Sequence, residues 1–253
     1  MVLKKFQYNG SVTSIQKDYF NTWGFIIYQN FINEEEIKVI NNEAQILMRK
    51  TLNKEIPKDD IDDLTPLSYD EKGNPFLHRL PYFTKYCSDT NEILTSKKIE
   101  MIGKGLLNNK DAWMLSDTMH GSMFQAKKFN KESQYKKIDW HIDFNENHIL
   151  SPLVSLGIYL DDSIVQNGCL LVVPGSHNTP VSKFVPPALP IEVKAGDMVC
   201  HNGQIYHAST TPSVTEGIRR TLYLYCCGGE YPGKGLPFSN DLTKEKTREI
   251  FMG

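Results

Sequence analysis

Two stretches in the first part of the chain carry apolar residues at helical spacing. Residues 12–23 form one, and in residues 33–50 the apolar side chains recur at three- and four-residue steps and make a single face. Asn33 precedes an acidic run that suits the positive end of a helix dipole. A further helical pattern spans 90–107. We therefore predict three helices, with a short strand at 24–28 between the first two.

After residue 110 the pattern changes to short apolar runs, rich in β-forming residues and separated by turn residues such as Asn167-Gly168 and Gly196-Asp197. The runs lie at 112–116, 122–129, 153–160, 169–173, 191–193, 197–201 and 219–227. Short strands at this spacing are typical of a β-sandwich or barrel. We expect an α+β fold in which the helices pack on a jelly-roll-like core.

The domain organisation follows from the absence of any repeat, low-complexity tract or linker in the sequence. A chain of 253 residues exceeds the common domain length of about 100–200 residues, but it fits a single β-rich unit. We expect one domain over 1–253, with a helical part at about 1–110, the core at about 111–228 and a tail at 229–253. The polar, proline-containing stretch 51–75 predicts a loop.

Composition and charge narrow the class of protein. Lysine and arginine number 28 against 30 acidic residues, and this balance gives no bulk attraction to nucleic acid or to an anionic membrane. A hydrophobic content of 40% can bury a sizeable core and argues against global disorder. No apolar run approaches the roughly 18 residues that span a membrane, and we see no secretory signal. We expect neither nucleic acid nor membrane as a partner.

The cysteines give no indication of a disulfide framework or of a thiolate zinc site. Their number is odd and no CxxC pair occurs. They are Cys87, Cys169, Cys200, Cys226 and Cys227. We expect all five to be small buried side chains of a protein in the reducing cytoplasm.

The stretch Trp140-His141-Ile142-Asp143-Phe144 contains the first candidate metal ligands. Residues two apart on a strand point to the same face, so His141 and Asp143 can converge on one cation. Two histidines and one carboxylate on one face of an octahedron are typical of non-haem Fe(II) sites. The third ligand must come from elsewhere in the chain. The downstream candidates are His148, His177, His201 and His207.

His207 is the favoured third ligand because of the segments on either side of it. It follows a turn into an apolar strand and precedes a strand that opens with Arg219-Arg220. An arginine beside a metal ligand suits an α-keto acid cosubstrate, since a guanidinium binds the far carboxylate as a two-pronged pair. Neighbours on a strand point in opposite directions, so at most one of these arginines faces inward. The sequence leaves that choice open.

Taken in order, these features resemble the phytanoyl-CoA dioxygenase-like family of Fe(II)/2-oxoglutarate oxygenases. The most specific stretch is 167–177, NGCLLVVPGSH, in which we interpret His177 as part of a structural turn. The other elements are the HxD stretch before it, Gly196-Asp197 leading to His207, and the arginine pair. The resemblance covers about 12–228 and is strongest from 120 to 227.

The resemblance implies a double-stranded β-helix, which is a cupin-like jelly roll, buttressed by the N-terminal helices. It implies Fe(II) as the cofactor, with 2-oxoglutarate and O₂ as cosubstrates. The implied metal ligands and catalytic residues are His141, Asp143 and His207. The implied residues for binding 2-oxoglutarate are Arg219 (with Arg220 as the alternative), Ser209, Gln125 and Lys127. Ala208 departs from a frequent glycine, and the spacing from His207 to the arginines is slightly long, which keeps the arginine assignment open.

The implied activity is hydroxylation of an unactivated C–H bond, with release of succinate and CO₂, although desaturation, ring closure or epimerisation would use the same iron site. We expect the substrate to be a small polar metabolite, either an amino acid or a biosynthetic intermediate. Lids that vary with substrate are expected at 55–85 and 228–240. The candidate charge partners of the substrate are Arg79, Lys85, Lys136 and Lys137.

Two other classes of protein stay open on the sequence alone. A cupin-like hydrolase or isomerase would use zinc or manganese on the same three ligands and would need no inward arginine. A non-catalytic jelly-roll binding protein would need no ligands at all. The intact His141, Asp143 and His207 argue against that class, since idle ligands leave a poorly compensated buried carboxylate. The oligomeric state is not indicated.

Overall fold

The structure is a computed structural model that describes residues 3–57, 67–70, 72–115, 122–128, 137–144, 146–147, 150–179, 187–213 and 218–229. The helices in these ranges are α1 (Ser14–Trp23), α2 (Glu34–Leu52), α3 (Phe83–Tyr86), α4 (Ser88–Leu94) and α5 (Lys97–Leu107). The strands are β1 (Lys5–Phe6), β2 (Phe25–Tyr28), β3 (Leu67–Tyr69), β4 (Pro75–Leu77), β5 (Arg79–Leu80), β6 (Trp113–Leu115), β7 (Met123–Lys128), β8 (Ile138–His141), β9 (Leu153–Tyr159), β10 (Leu170–Val172), β11 (Leu189–Ile191), β12 (Met198–Asn202), β13 (His207–Ser209) and β14 (Ile218–Cys227).

Two sheets form the β core. The larger has the order β1-β2-β12-β9-β14-β7-β5, with β6 also paired to β14, and the smaller has the order β11-β10-β13-β8. Residues of both sheets line one cavity, so the sheets enclose it between them. The strands β3 and β4 pair separately. This arrangement confirms the α+β jelly-roll fold expected from the sequence.

The helices cover the outer face of the larger sheet, and α5 shows how closely they pack. It contacts β9 and β14, and a side chain added at Gly103 would collide with Cys226. Ile99 and Ile102 of the same helix are fully buried. Each large apolar side chain buried in this way contributes about 1.5–3 kcal/mol to stability. The layer of helices thus fixes the sheet whose other face lines the cavity.

The first two helices both begin with a capping box, which starts α1 at Ser14, within the predicted 12–23, and α2 at Glu34, directly after Asn33. Thr13 accepts from the backbone of Gln16, and Asn33 accepts from that of Glu36, with the reciprocal bond present in each case. The helix α1 ends at Gly24, whose φ of 79° places it in the left-handed region. The helices predicted at 12–23 and 33–50 and the strand at 24–28 are confirmed.

The single helix predicted over 90–107 is wrong, because the structure has α4 and α5 in its place. Thr95 closes α4, and its hydroxyl donates to the carbonyl oxygen of Asn91 at 2.8 Å. Ser96 then adopts an extended conformation with ψ of 150° and starts α5. Threonine and serine hydroxyls compete for backbone hydrogen bonds and favour such helix boundaries.

The larger sheet takes strands from both parts of the chain. The strands β1, β2 and β5, which precede residue 110, belong to it. All four residues of β2 pair antiparallel with β12. The strand expected at 191–193 is shifted to β11, two residues earlier. The stretch 51–75, expected to be a loop, includes β3, while 58–66 and 71 lie outside the described residues.

The remaining expectations concern cysteines and membrane spans. All five cysteines are buried and free, as expected of small buried side chains. Within the part of the chain that the structure describes, no helix combines the length and apolarity needed to cross a membrane.

Candidate metal centre and cosubstrate cavity

The candidate site lies in a cavity of about 260 Å³ between the two sheets. In the smaller sheet, β8 and β13 are antiparallel neighbours that place His141 directly opposite His207. Asp143 lies just past the end of β8, where its backbone N–H donates to the carbonyl oxygen of Gly203 at 2.8 Å. The turn between β12 and β13 therefore holds the carboxylate beside the two imidazoles.

The side chains of these three residues converge on one point. His141 Nε2 and His207 Nε2 each lie 3.7 Å from Asp143 Oδ1. All three ligand atoms lie within 4.8 Å of one another, which leaves room for one cation between them. The three residues proposed from the HxD stretch and its downstream partner are thus brought together by the fold.

The protonation of the two imidazoles favours a cation at that point. Nδ1 of His141 donates to the carbonyl oxygen of Asp139 at 2.7 Å, and Nδ1 of His207 donates to that of Ile205 at 2.9 Å. A carbonyl oxygen only accepts, so in a neutral ring each Nε2 carries a lone pair. Two lone pairs and a carboxylate oxygen repel one another unless a cation lies between them. This donor set is the one typical of non-haem Fe(II).

Electrostatics keep His207 and Asp143 in the metal-binding protonation state near neutral pH. Burial, with smaller effects from His201 and His141, lowers the pKa of His207 to about 4. Burial also acts to raise the pKa of Asp143, but the hydrogen bond from His201 and the nearby histidines outweigh it and lower that pKa overall. His207 is therefore neutral and Asp143 ionised, as metal ligands must be.

The two arginines at the start of β14 point to opposite faces of the sheet. Arg219 is 3% exposed and lines the cavity, and its Nε and Nη1 find no hydrogen-bond partner in the described part of the chain. Arg220 instead makes a two-pronged pair with Asp161, with distances of 2.8 and 2.6 Å. A buried guanidinium with unbonded N–H groups requires an anion. Arg219 is thus the one of the two arginines that faces the cavity with unbonded N–H groups.

The other three residues expected to bind the cosubstrate surround Arg219. Lys127 lies directly opposite it on β7, and its Nζ donates to Ser209 Oγ at 2.8 Å and to the carbonyl oxygen of Thr210 at 2.6 Å. Gln125 and Ser209 both line the cavity. Burial, and then the charge of Arg219, lowers the pKa of Lys127 to about 7. Two neighbouring buried cationic groups favour a dicarboxylate ligand over a neutral one.

We expect the metal-free protein to gain stability over a Lys127→Met variant as the pH rises from about 7 to about 9. Below the folded pKa of about 7, Lys127 is charged in both the folded and the unfolded protein, and the full free-energy cost of burying the charge lowers stability. Above it, the folded protein releases the proton, while the unfolded chain keeps it up to about pH 10.4. The gain should be on the order of 2 kcal/mol, measured from urea midpoints. Parallel pH profiles of the two proteins would contradict it.

Several cavity residues were not predicted from the sequence. Tyr223 and Tyr225 lie on the same face of β14 as Arg219, and Ser155 lies on the neighbouring β9. Strand alternation from Arg219 gives the two tyrosines directly, once that arginine is known to face inward. His201, at the end of β12, was considered from the sequence only as a possible third metal ligand, and it also lines the cavity.

The other histidines and charge partners considered from the sequence are distributed as follows. His177 lies against the end of α1, where its Nε2 donates to the carbonyl oxygen of Asn21 at 3.0 Å, and His148 is outside the described residues. Arg79 lines the cavity. Lys85 lies over the Tyr86 ring, Lys137 pairs with Asp139, and Lys136 is outside the described residues. The expected lid at 228–240 lies outside the described residues from 230 onward. Residues 58–66 and 71 of the expected lid at 55–85 also lie outside them.

A jelly roll with two histidines and a carboxylate converging beside a buried arginine is typical of Fe(II)/2-oxoglutarate-dependent oxygenases. The chain belongs to the phytanoyl-CoA dioxygenase family, whose model matches residues 20–221. The protein is accordingly an oxygenase that uses Fe(II), 2-oxoglutarate and O₂.

Individual relatives are distant. The chain is 22% identical over 263 residues to the phytanoyl-CoA dioxygenase domain-containing protein 1 homolog of Dictyostelium discoideum, covering 86% of this chain and 91% of the relative. It is 26% identical over 192 residues to ectoine dioxygenase of Halomonas elongata, covering 73% of this chain and 51% of that protein. The crystal structure of EctD from S. alaskensis with 2-oxoglutarate and 5-hydroxyectoine is similar with a TM-score of 0.67 and 15% identity, over 97% of this chain and 87% of that one. The structural likeness supports the jelly-roll fold.

Proposed function

We propose that the protein hydroxylates an unactivated C–H bond of a small polar metabolite, an amino acid or a biosynthetic intermediate, with release of succinate and CO₂. The observation that carries the proposal is the meeting of two features in one cavity. Three unprotonated ligand atoms converge there, and the buried Arg219 lines the same space. A hydrolase or isomerase on the same metal ligands would have no use for that arginine.

The proposed ligands are His141 and His207 through Nε2 and Asp143 through Oδ1. When bound, Fe(II) together with the keto acid supplies the activation of O₂ for C–H oxidation. Three protein ligands on one face of the ion would leave the opposite face for the cosubstrate and O₂. The backbone carbonyls of Asp139 and Ile205 hold the two imidazoles in the ligating tautomer.

The proposed cosubstrate anchor consists of Arg219, Ser209 and Lys127. The unbonded N–H groups of Arg219 would donate to the far carboxylate of 2-oxoglutarate. Ser209 Oγ already accepts from Lys127, so its own proton is available for the same carboxylate. Gln125 lies on the same strand face as Lys127 and completes the polar wall.

The proposed substrate class follows from the size and lining of the cavity. Its volume of about 260 Å³ is small, and 2-oxoglutarate would occupy part of it. Drug-sized ligands use pockets of roughly 300–1,000 Å³. Arg79, Tyr223 and Tyr225 supply polar groups to the lining, and Arg79 favours a substrate with a carboxylate or another anionic group. These features support a small polar molecule.

The test is an anaerobic mixture of the protein with Fe(II) and 2-oxoglutarate. We expect the weak visible charge-transfer band of the iron–keto acid chelate, in wild type and in a His177→Gln control outside the cavity. Succinate release should then rise above background with some members of a panel of small amino acids and hydroxy acids, each paired with its amide. Stoichiometric metal binding without the band would contradict the proposal and favour the zinc or manganese hydrolase or isomerase.

We also propose that the protein works in a reducing compartment, the cytoplasm. The support is that the five cysteines are free and buried. Such thiols need no oxidising environment for the fold to form.

A further inference from the structure

His201 lies beside the proposed metal ligands but is arranged as a hydrogen-bond donor. Its Nε2 is 3.2 Å from Asp143 Oδ2, and the residue is 2% exposed. An ionised carboxylate only accepts, so Nε2 of His201 carries the proton. In His141 and His207 the proton is on Nδ1, where a backbone carbonyl receives it. Three neighbouring imidazoles thus divide into two ligands and one donor.

The backbone of His201 is held rigidly by the larger sheet. It lies opposite Phe25 of β2 on one side and opposite Ser155 of β9 on the other. Its ring centroid is 4.6 Å from that of His207, which belongs to the smaller sheet. Nδ1 of His201 is buried and has no hydrogen-bond partner in the described residues, so the bond to Asp143 is the one that orients the ring. His201 therefore links the larger sheet to the carboxylate across the cavity.

The two oxygens of Asp143 consequently have different surroundings. Oδ1 faces His141 Nε2 and His207 Nε2 at 3.7 Å each, while Oδ2 faces His201. A carboxylate that is held in this way presents one oxygen to a cation and keeps the other out of reach. The number of positions on the metal makes that difference important, because an octahedral ion with three protein ligands has three positions left. If a keto acid and O₂ were to share those positions, a second oxygen from Asp143 would compete for one of them.

We infer that His201 is a positioning residue that keeps Asp143 a one-oxygen ligand. Its Nε2–H holds Oδ2 and fixes the orientation of the carboxylate, and this would keep Oδ2 away from a bound metal ion. The inference rests on the proposed Fe(II) site. Partners of this kind typically change metal affinity by about 10–100-fold when they are removed.

The test compares His201→Phe, which keeps a ring and removes the donor, with His201→Gln, whose amide N–H reaches a similar point. Co(II) alone is the probe, because its visible bands report both affinity and coordination number. We expect His201→Phe to weaken Co(II) binding by about 10–100-fold and to alter the bands. His201→Gln should restore both toward wild type. His177→Gln is the matched control, and it should bind Co(II) as wild type does.

A second measurement does not depend on whether the His201→Phe variant folds. Nitrogen-15 NMR of wild type loaded with diamagnetic Zn(II) reports which ring nitrogen of each histidine is protonated. We expect the His201 ring, assigned by its absence in His201→Gln, to carry its proton on Nε2. A proton on Nδ1 would overturn the inference.

The Co(II) measurements can also overturn the inference. Wild-type affinity and bands in His201→Phe, or equal losses in both His201 variants, would overturn the hydrogen-bonding role while leaving the metal site intact. Co(II) binding that survives His141→Ala unchanged would instead overturn the proposed metal site, and this inference with it.

Discussion

Replacing Asp143 by alanine is expected to remove Fe(II) binding and, with it, succinate formation from 2-oxoglutarate. Asp143 is the carboxylate that lines the cavity in the described part of the chain, and its Oδ1 faces both ligand imidazoles. Without it, a divalent cation would meet two neutral nitrogens next to the cationic Arg219. We expect Fe(II) affinity to fall by more than about 100-fold, the upper end for residues that only support a ligand.

The matched control is Asp139→Ala, four residues earlier on the same segment. The Asp139 side chain is exposed and pairs with Lys137, while its backbone carbonyl accepts from His141 Nδ1 and is kept by alanine. An exposed pair of this kind contributes about 0–1 kcal/mol, so the control should keep both metal binding and turnover. Fe(II) affinity from anaerobic competition and urea midpoints of both variants separate a lost ligand from a lost fold. An Asp143→Ala variant with wild-type affinity would place the metal elsewhere.

Local sequence signals were sufficient for much of the fold. The capping boxes at Thr13 and Asn33 are contained within four residues each. The periodicity behind them predicted both helices, and the acidic run after Asn33 marked the start of the second. The four residues of β2, all of them buried, predict a strand from their sequence but not the sheet that the strand joins. Its place beside β12 depends on a pairing across more than 160 residues, which no local pattern encodes.

The choice between the two arginines illustrates the same limit at the site. Alternation predicts that Arg219 and Arg220 face opposite ways, but not which of them faces the cavity. The register of β14 decides it, because Arg219 lies opposite Lys127 while Arg220 lies opposite Ala126. Asp161, just after β9, then receives Arg220 on the other face. Each of these determinants is distant in sequence.

The proposed role of His201 depends on tertiary structure in the same way. The sequence placed it among the downstream histidines that could supply the third metal ligand, with nothing to favour it. Its bond to Asp143 arises because the turn after β12 folds back on the end of β8, where Gly203 accepts from the backbone of Asp143. His201 and Asp143 are 58 positions apart in the sequence. Only the tautomer that each histidine adopts in the structure distinguishes a hydrogen-bond donor from a proposed metal ligand.

Replacing Arg219 by leucine is expected to raise the KM for 2-oxoglutarate far more than it changes Fe(II) affinity. Loss of one partner from a buried charge pair weakens binding by about 2–5 kcal/mol, which corresponds to roughly 30- to 5,000-fold. The control is Arg220→Leu, which removes the pair with Asp161 from a partly exposed position and should leave the KM unchanged. Initial rates of succinate formation at saturating Fe(II) measure both.

Lys127 should set the size of the Arg219→Leu effect. Burial and the charge of Arg219 together hold its pKa at about 7, so loss of the arginine raises that pKa and leaves a charged ammonium beside the carboxylate site. The residual affinity of Arg219→Leu for 2-oxoglutarate should therefore be higher than in the double variant Arg219→Leu, Lys127→Met. A KM that rises in Arg220→Leu and not in Arg219→Leu would reverse the arginine assignment. A double variant that is no worse than Arg219→Leu would show that Lys127 does not contact the cosubstrate.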